Sequence, residues 1–214
     1  MLRSVVTIVV HHLENSRSQR VLWLLEELEL PYEVRRYQRD KRTMLAPPEL
    51  KRVHPLGKSP VIEDYGTIVA ETGAIVEYLV EEKAAGRLGA PAEREGALLY
   101  RHFLHYAEGS LMPPLLVNLV LARIPLFGKA GQRKFKPMVD VHLHYVEAQL
   151  AQRPWFAGSA FTAADIMMSF PLEAAAARAN ARGGRTSLSA WLDRIHARPA
   201  YQAALRAGGP YAYA

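Results

Sequence analysis

The chain has 214 residues, half of them hydrophobic, a formal net charge of +6 and no cysteine. That is enough apolar length to bury a sizeable core, in one large domain or, as read here, two small ones. Disulfides, thiolate metal sites and a cysteine nucleophile are excluded, which suits a reducing cytoplasm and leaves the chemistry to hydroxyls, histidines or bound small molecules. Residues 1–83 carry 12 Lys+Arg against 13 Asp+Glu and residues 84–214 carry 15 against 8, so the positive excess belongs to the second part.

Met1 to Ser4 and the β-branched run Val5 to Val10 read as a strand rather than a signal peptide. From Ser16 the apolar positions Val21, Leu24, Leu25 and Leu28 recur at helical spacing until Pro31, and Tyr32 to Tyr37 reads as a second strand. Such a strand-helix-strand unit should lay its two strands parallel and side by side. Pro48-Glu49-Leu50-Lys51 looks like the first turn of a short helix, and Val61 to Val69 like a hairpin of two short strands joined by an acidic, glycine-containing turn. Thr72 then opens a helix through Ile75, Tyr78, Leu79 and Glu82. The order is that of a thioredoxin-like domain over residues 1–83.

Residues 84–93, with two glycines and a proline, look like a linker. Beyond it the strand signals stop. Glu93 to Met112, Leu115 to Ile124 and Val139 to Leu150 show helical periodicity, and Thr162 followed by Asp165 predicts a capping box before the buried run Ile166-Met167-Met168. The fold class is therefore α+β followed by an all-α bundle over 94–214. The longest apolar stretch, Leu111 to Phe127, is broken by Pro113, Pro114, Asn118, Arg123 and Pro125, so no membrane span is expected.

The segment His54-Pro55-Leu56-Gly57-Lys58-Ser59-Pro60-Val61-Ile62 carries the strongest functional signal. A proline there resists incorporation as a central strand. With a cis Ser59-Pro60 bond, the backbone of Ser59 would be free to pair with an extended peptide as one more strand. Glu71 and Thr72 stand where the next helix begins, and a helix N-terminus accepts a carboxylate. A small acidic peptide fits both.

Together with the β-α-β order and the all-helical second half, the segments His11 to Leu28, Pro47 to Lys51 and Tyr106 to Leu111 resemble a cytosolic-type glutathione transferase over essentially the full length. Within that superfamily they are similar to the fungal Gtt-type transferases and their bacterial relatives. The resemblance implies that Ser59 and Pro60 meet the cysteinyl backbone of glutathione and that Glu71 and Thr72 hold its γ-glutamyl end. Lys58 and His54 would then meet the glycyl carboxylate. It also implies a group at the end of the first strand that stabilises the thiolate. With no cysteine, and no tyrosine before Tyr32, the choices are Asn15, Ser16, Arg17 and Ser18. Ser16 is the candidate catalytic residue, as the expected N-cap of the first helix, with Asn15 or a backbone amide as the alternative holder of the thiolate.

His12, Leu13, Tyr106, Ser110, Leu111 and Leu115 are the candidate electrophile pocket. Glutathione is a co-substrate and no resident cofactor is implied. The resemblance further implies a homodimer, a cytoplasmic setting and a detoxifying conjugation, with hydroperoxide reduction open beside it. The alternative is a transferase-shaped binding or regulatory protein without turnover.

The remaining signals read as structure. His102 with His105 and His142 with His144 lack a carboxylate cluster of metal spacing, so no metal site is expected. Arg123, Lys129, Arg133, Lys134 and Lys136 lie in an acid-free stretch, but no aromatic interleaving accompanies them, so a solvated face is expected and not nucleic-acid binding. Arg20, among apolar helix positions, reads as a paired structural cation.

Overall fold

A computed structural model of the protein describes residues 8–214. It contains β1 (Ile8–Leu13), α1 (Ser18–Glu27), β2 (Tyr32–Tyr37), α2 (Leu50–Val53), β3 (Val61–Asp64), β4 (Thr67–Ala70) and α3 (Thr72–Tyr78), which runs on into a single wider turn, Leu79–Lys83. After these come α4 (Arg94–Tyr106) and a second wide turn at Ala107–Leu111, then α5 (Met112–Ala122), α6 (Gly128–Gln152), α7 (Ala163–Ala179), α8 (Thr186–His196) and α9 (Pro199–Gly208). The part of the expected first strand before Ile8 lies outside the described residues.

The four described strands form one sheet in the order β2-β1-β3-β4. β1 and β2 are parallel, as a strand-helix-strand unit requires, while β3 runs antiparallel to both β1 and β4. The β3–β4 turn falls at Tyr65-Gly66, both with positive φ, where glycine at the second position removes the steric cost of a left-handed backbone.

Two compact units divide the chain. One runs through Gly89 and also takes in His196–Ala212; the other spans Ala90–Ile195. The sequence pattern extends the helical part over 94–214. Instead α9 packs on α1, because its buried positions Tyr201, Ala204 and Gly208 recur at helical spacing and form a stripe facing that helix. This accounts for α1 being buried from Ser18 through Leu25 and not on one side only: the sheet, α3 and α9 all contact it. Trp23 meets Tyr201 edge-on at 5.2 Å, and the Arg198 guanidinium donates twice to Glu27, at 2.5 and 2.7 Å. Each large apolar side chain buried there contributes roughly 1.5–3 kcal/mol.

Gly208 lets the two helices approach closely at this crossing. A Cβ added there would lie 2.6 Å from Gln19 Oε1 and 3.0 Å from Leu22 Cδ1, so a larger residue would make those side chains shift.

In the helical unit, α7 is buried almost all round, from Ala163 to Ala175. The predicted capping box is present: Asp165 accepts from Thr162 N, and also from Phe156 N and Trp191 Nε1 at 3.0 and 3.2 Å. α6 buries Val139, Leu143, Val146 and Leu150 on one face, as their spacing predicts, but begins eleven residues before that face at Gly128. The basic stretch therefore lies mostly on its first turns, with Lys136 paired to Asp140. Among the described residues no helix is long and apolar enough to cross a membrane.

Candidate functional site

Backbone register brings three of the singled-out segments to one end of the sheet. His11 pairs with Val61, so the end of β1 lies beside the start of β3; Val61 pairs in turn with Ala70, the last residue of β4. Residues just beyond these strand ends, 14–18, 58–60 and 71–72, are thereby neighbours. Ser59 ties the first two together. Its hydroxyl donates to His11 O at 2.8 Å and accepts from Leu13 N at 3.2 Å. The Ser59-Pro60 peptide is cis.

Thr72 is the buried first residue of α3, with its side-chain oxygen 3.5 Å from Arg20 Nη2. Arg20 is itself buried, so the cation expected to be structural lies directly behind the threonine. Glu71 precedes it, exposed, with φ of 74° and ψ of 126°. A non-glycine residue held there costs about 1–3 kcal/mol and is found where surrounding structure dictates the side chain's direction. Lys58 is exposed and His54, at the end of α2, is half-buried.

The loop 14–18 departs from expectation. α1 begins at Ser18, and Arg17 stands at the capping position with no side-chain cap. Ser16, two residues before the helix, accepts from Ser18 N at 3.2 Å and lies 2.8 Å from Ser18 Oγ. Ser18 Oγ lies 2.9 Å from His12 Nδ1 and 3.3 Å from Leu13 O. A chain of polar contacts thus runs from Ser16 through Ser18 to His12. All three are buried, and His12 reaches the loop through Ser18. Burial and then the nearby Arg36 cation bring the His12 pKa down to about 4, against the opposing pull of Glu14 and of a backbone hydrogen bond to Gly208. The ring is neutral at neutral pH.

Asn15 is half-buried, with φ of 49°, and its side-chain oxygen accepts from Ala212 N at 2.8 Å. Arg39 steadies the same loop by donating its backbone N–H to Glu14 and a guanidinium N–H to Asn15 O. Ala212, Gly208 and Arg36 are the members of this neighbourhood that sequence reasoning missed. Gly208, a glycine late in an alanine-rich helix, was the one signal available.

Of the remaining pocket candidates, Leu13 is buried in the same unit as His12, and Leu111 and Leu115 are buried in the helical unit. An apolar residue at helical spacing fills a core first. Tyr106 and Ser110 keep part of their surface; Tyr106 OH bonds His142 Nδ1 at 2.5 Å, and burial holds the phenol's pKa above its usual range. Among the described residues there is no group of three or more His, Cys, Asp or Glu that could hold a metal ion.

Comparison with known proteins agrees with this geometry. Residues 5–81 match the family model of the glutathione S-transferase N-terminal domain and residues 116–199 that of the C-terminal domain. The chain is 37% identical to Glutathione S-transferase 3 of Schizosaccharomyces pombe, over 90% of this chain and 84% of the relative. It is 33% identical to Glutathione S-transferase 1 of Saccharomyces cerevisiae over 94% of each. A crystal structure of a glutathione S-transferase from Actinobacillus pleuropneumoniae superposes with a TM-score of 0.83 at 32% identity, covering 94% of this chain and 92% of that one. The fold is that of a two-part transferase with a thioredoxin-like sheet. The chain belongs to the glutathione S-transferase family and is an enzyme of that family.

Proposed function

We propose that the first unit binds glutathione at the end of the sheet where residues 14–18, 58–60 and 71–72 meet, and stabilises its thiolate for attack on an apolar electrophile. The observation that carries this reading is the register, which sets an acid, a helix N-terminus and a polar loop side by side. Glu71 accepts from the ligand's α-ammonium while Thr72 donates to its α-carboxylate, with Arg20 behind as a fixed positive charge. The backbone of Ser59, beside Pro60, pairs with the cysteinyl residue, and Lys58 with His54 meets the glycyl carboxylate. The sulfur then falls at the loop bearing Asn15, Ser16, Arg17 and Ser18, where Ser16 and Asn15 are the two candidate donors to the thiolate. On the helical unit, Tyr106 and Ser110 are the members of the pocket set with surface to offer an electrophile. Bound glutathione can equally reduce a hydroperoxide, and a homodimer is the assembly expected.

Isothermal titration tests the binding step: heat saturating at millimolar glutathione is expected, with conjugation of a generic aryl halide appearing under the same conditions. A flat titration would refute the reading.

A further inference from the structure

The segment after α9 bears on the polar loop from behind. Arg36 donates two hydrogen bonds to Ala207 O, at 3.1 and 2.5 Å, and so fixes where residues 208–212 run. Gly208 then approaches His12, and Ala212 N–H reaches Asn15. Both contacts have a direction. A backbone N–H can only donate, so the Asn15 atom facing Ala212 is Oδ1, and the amide nitrogen with its two N–H groups is the end left over. On His12, Nδ1 is taken by Ser18, so the backbone bond to Gly208 uses Nε2. That bond works against the fall in the ring's pKa, the sense of a carbonyl accepting a ring N–H. A neutral ring protonated at Nε2 has a bare Nδ1. Ser18 then donates to it, with Leu13 O at 3.3 Å as the longer second acceptor, and Ser18 Oγ is left to accept from Ser16. The Ser16 hydroxyl proton accordingly points inward along the chain, where it gives a thiolate nothing.

We propose that segment 207–212 is a positioning element of the thiol site: through Ala212 and Gly208 it presents the Asn15 side-chain N–H groups as the donor to the glutathione sulfur and draws the Ser16 proton away from it. This rests on the reading that the thiol meets loop 15–18, and it decides between the two donors that reading leaves open. Segment 207–212 touches no substrate in this scheme. It acts through Asn15 and His12.

The test is the pKa of bound glutathione, read from thiolate absorbance against pH, beside the glutathione Kd from titration. Asn15→Asp still accepts the Ala212 N–H but offers the sulfur an anion in place of a donor. It should raise the bound thiol's pKa by about one unit or more, and by more than Ser16→Ala does. Ala212→Pro removes the N–H, while also fixing φ, and should shift the thiol pKa in the same direction, whereas Ala212→Gly, which keeps the N–H, should leave it near the native value. Nitrogen-15 NMR of His12 should report the Nε2-protonated tautomer. The proposal is overturned if Ser16→Ala moves the thiol pKa more than Asn15→Asp does, or if His12 carries its proton on Nδ1. Should Ala212→Pro not fold, Asn15→Asp and the tautomer decide alone. Failure of the intact protein to bind glutathione would sink the underlying reading as well, whereas binding with an unmoved thiol pKa in Asn15→Asp sinks this inference only.

Discussion

The heads of α1 and α7 begin from similar sequence and end differently. Each has a hydroxyl residue just before a buried helix, Ser16 in one and Thr162 in the other. At α7, an acid three residues on closes the box, and Asp165 satisfies the donors of Thr162, Phe156 and Trp191. Asp165 is fully buried, and burial lifts its pKa to about 6 even though four hydrogen bonds pull it down. At α1 there is no such acid, and Ser16 is engaged sideways with Ser18, which in turn meets His12. A helix start whose donors are all met from within is a structural closure. One whose polar groups are held from a distant segment keeps groups to spare for a ligand.

The largest expected effect tests the closed head. Asp165→Ala leaves several buried donors unmet and should cost about 3–5 kcal/mol in urea unfolding. A cost near 1 kcal/mol would mean that water replaces it readily and that the contrast with α1 is false.

Next comes pH. His12 titrates near 6.5 when unfolded and near 4 in the fold, so between those values the unfolded chain binds more protons. Its contribution is present above about pH 6.5 and is lost as pH falls toward 4, up to about 3 kcal/mol. Arg36 strengthens that loss and Glu14 weakens it. His12→Asn should flatten this part of the stability–pH curve measured by denaturant titration. An unchanged slope would remove His12 from the buried chain.

Thr72→Ala should weaken glutathione binding about tenfold with little change in unfolding midpoint, whereas Thr72→Ser should largely retain it. Equal loss in both would assign the threonine to packing. The smallest effect is at the surface: Lys136→Ala breaks an exposed pair with Asp140 and should change stability by less than about 0.5 kcal/mol.

Much of the sheet, and the local backbone around one side of the candidate site, is legible in the sequence because the signals are local. β2 spans the predicted Tyr32 to Tyr37, and Thr72 opens its helix as expected. Proline and glycine act on their immediate neighbours, and hydrophobic alternation reports burial within a few residues. A serine before an apolar periodic run looks like a cap, which puts the expected N-cap at Ser16, one residue before the observed Arg17; Ser16 is instead engaged by Ser18. Periodicity shows α6 only from Val139 because its first turns carry Lys129, Arg133, Lys134 and Lys136, whose charge hides a helix that buries little there. The role of 207–212 was illegible for a different reason. Its contacts to His12, Asn15 and Arg36 use backbone N–H and C=O groups, which every sequence possesses, across about two hundred residues of separation.

Because α9 completes the packing around α1 yet is encoded after every helix of the other unit, the amino-terminal half cannot finish acquiring its structure while the ribosome is still translating the middle of the message. The nascent α1 must wait, with one side of Trp23 and Leu22 uncovered, and the interval in which a chaperone would find it lasts until residues 196–212 emerge from the exit tunnel.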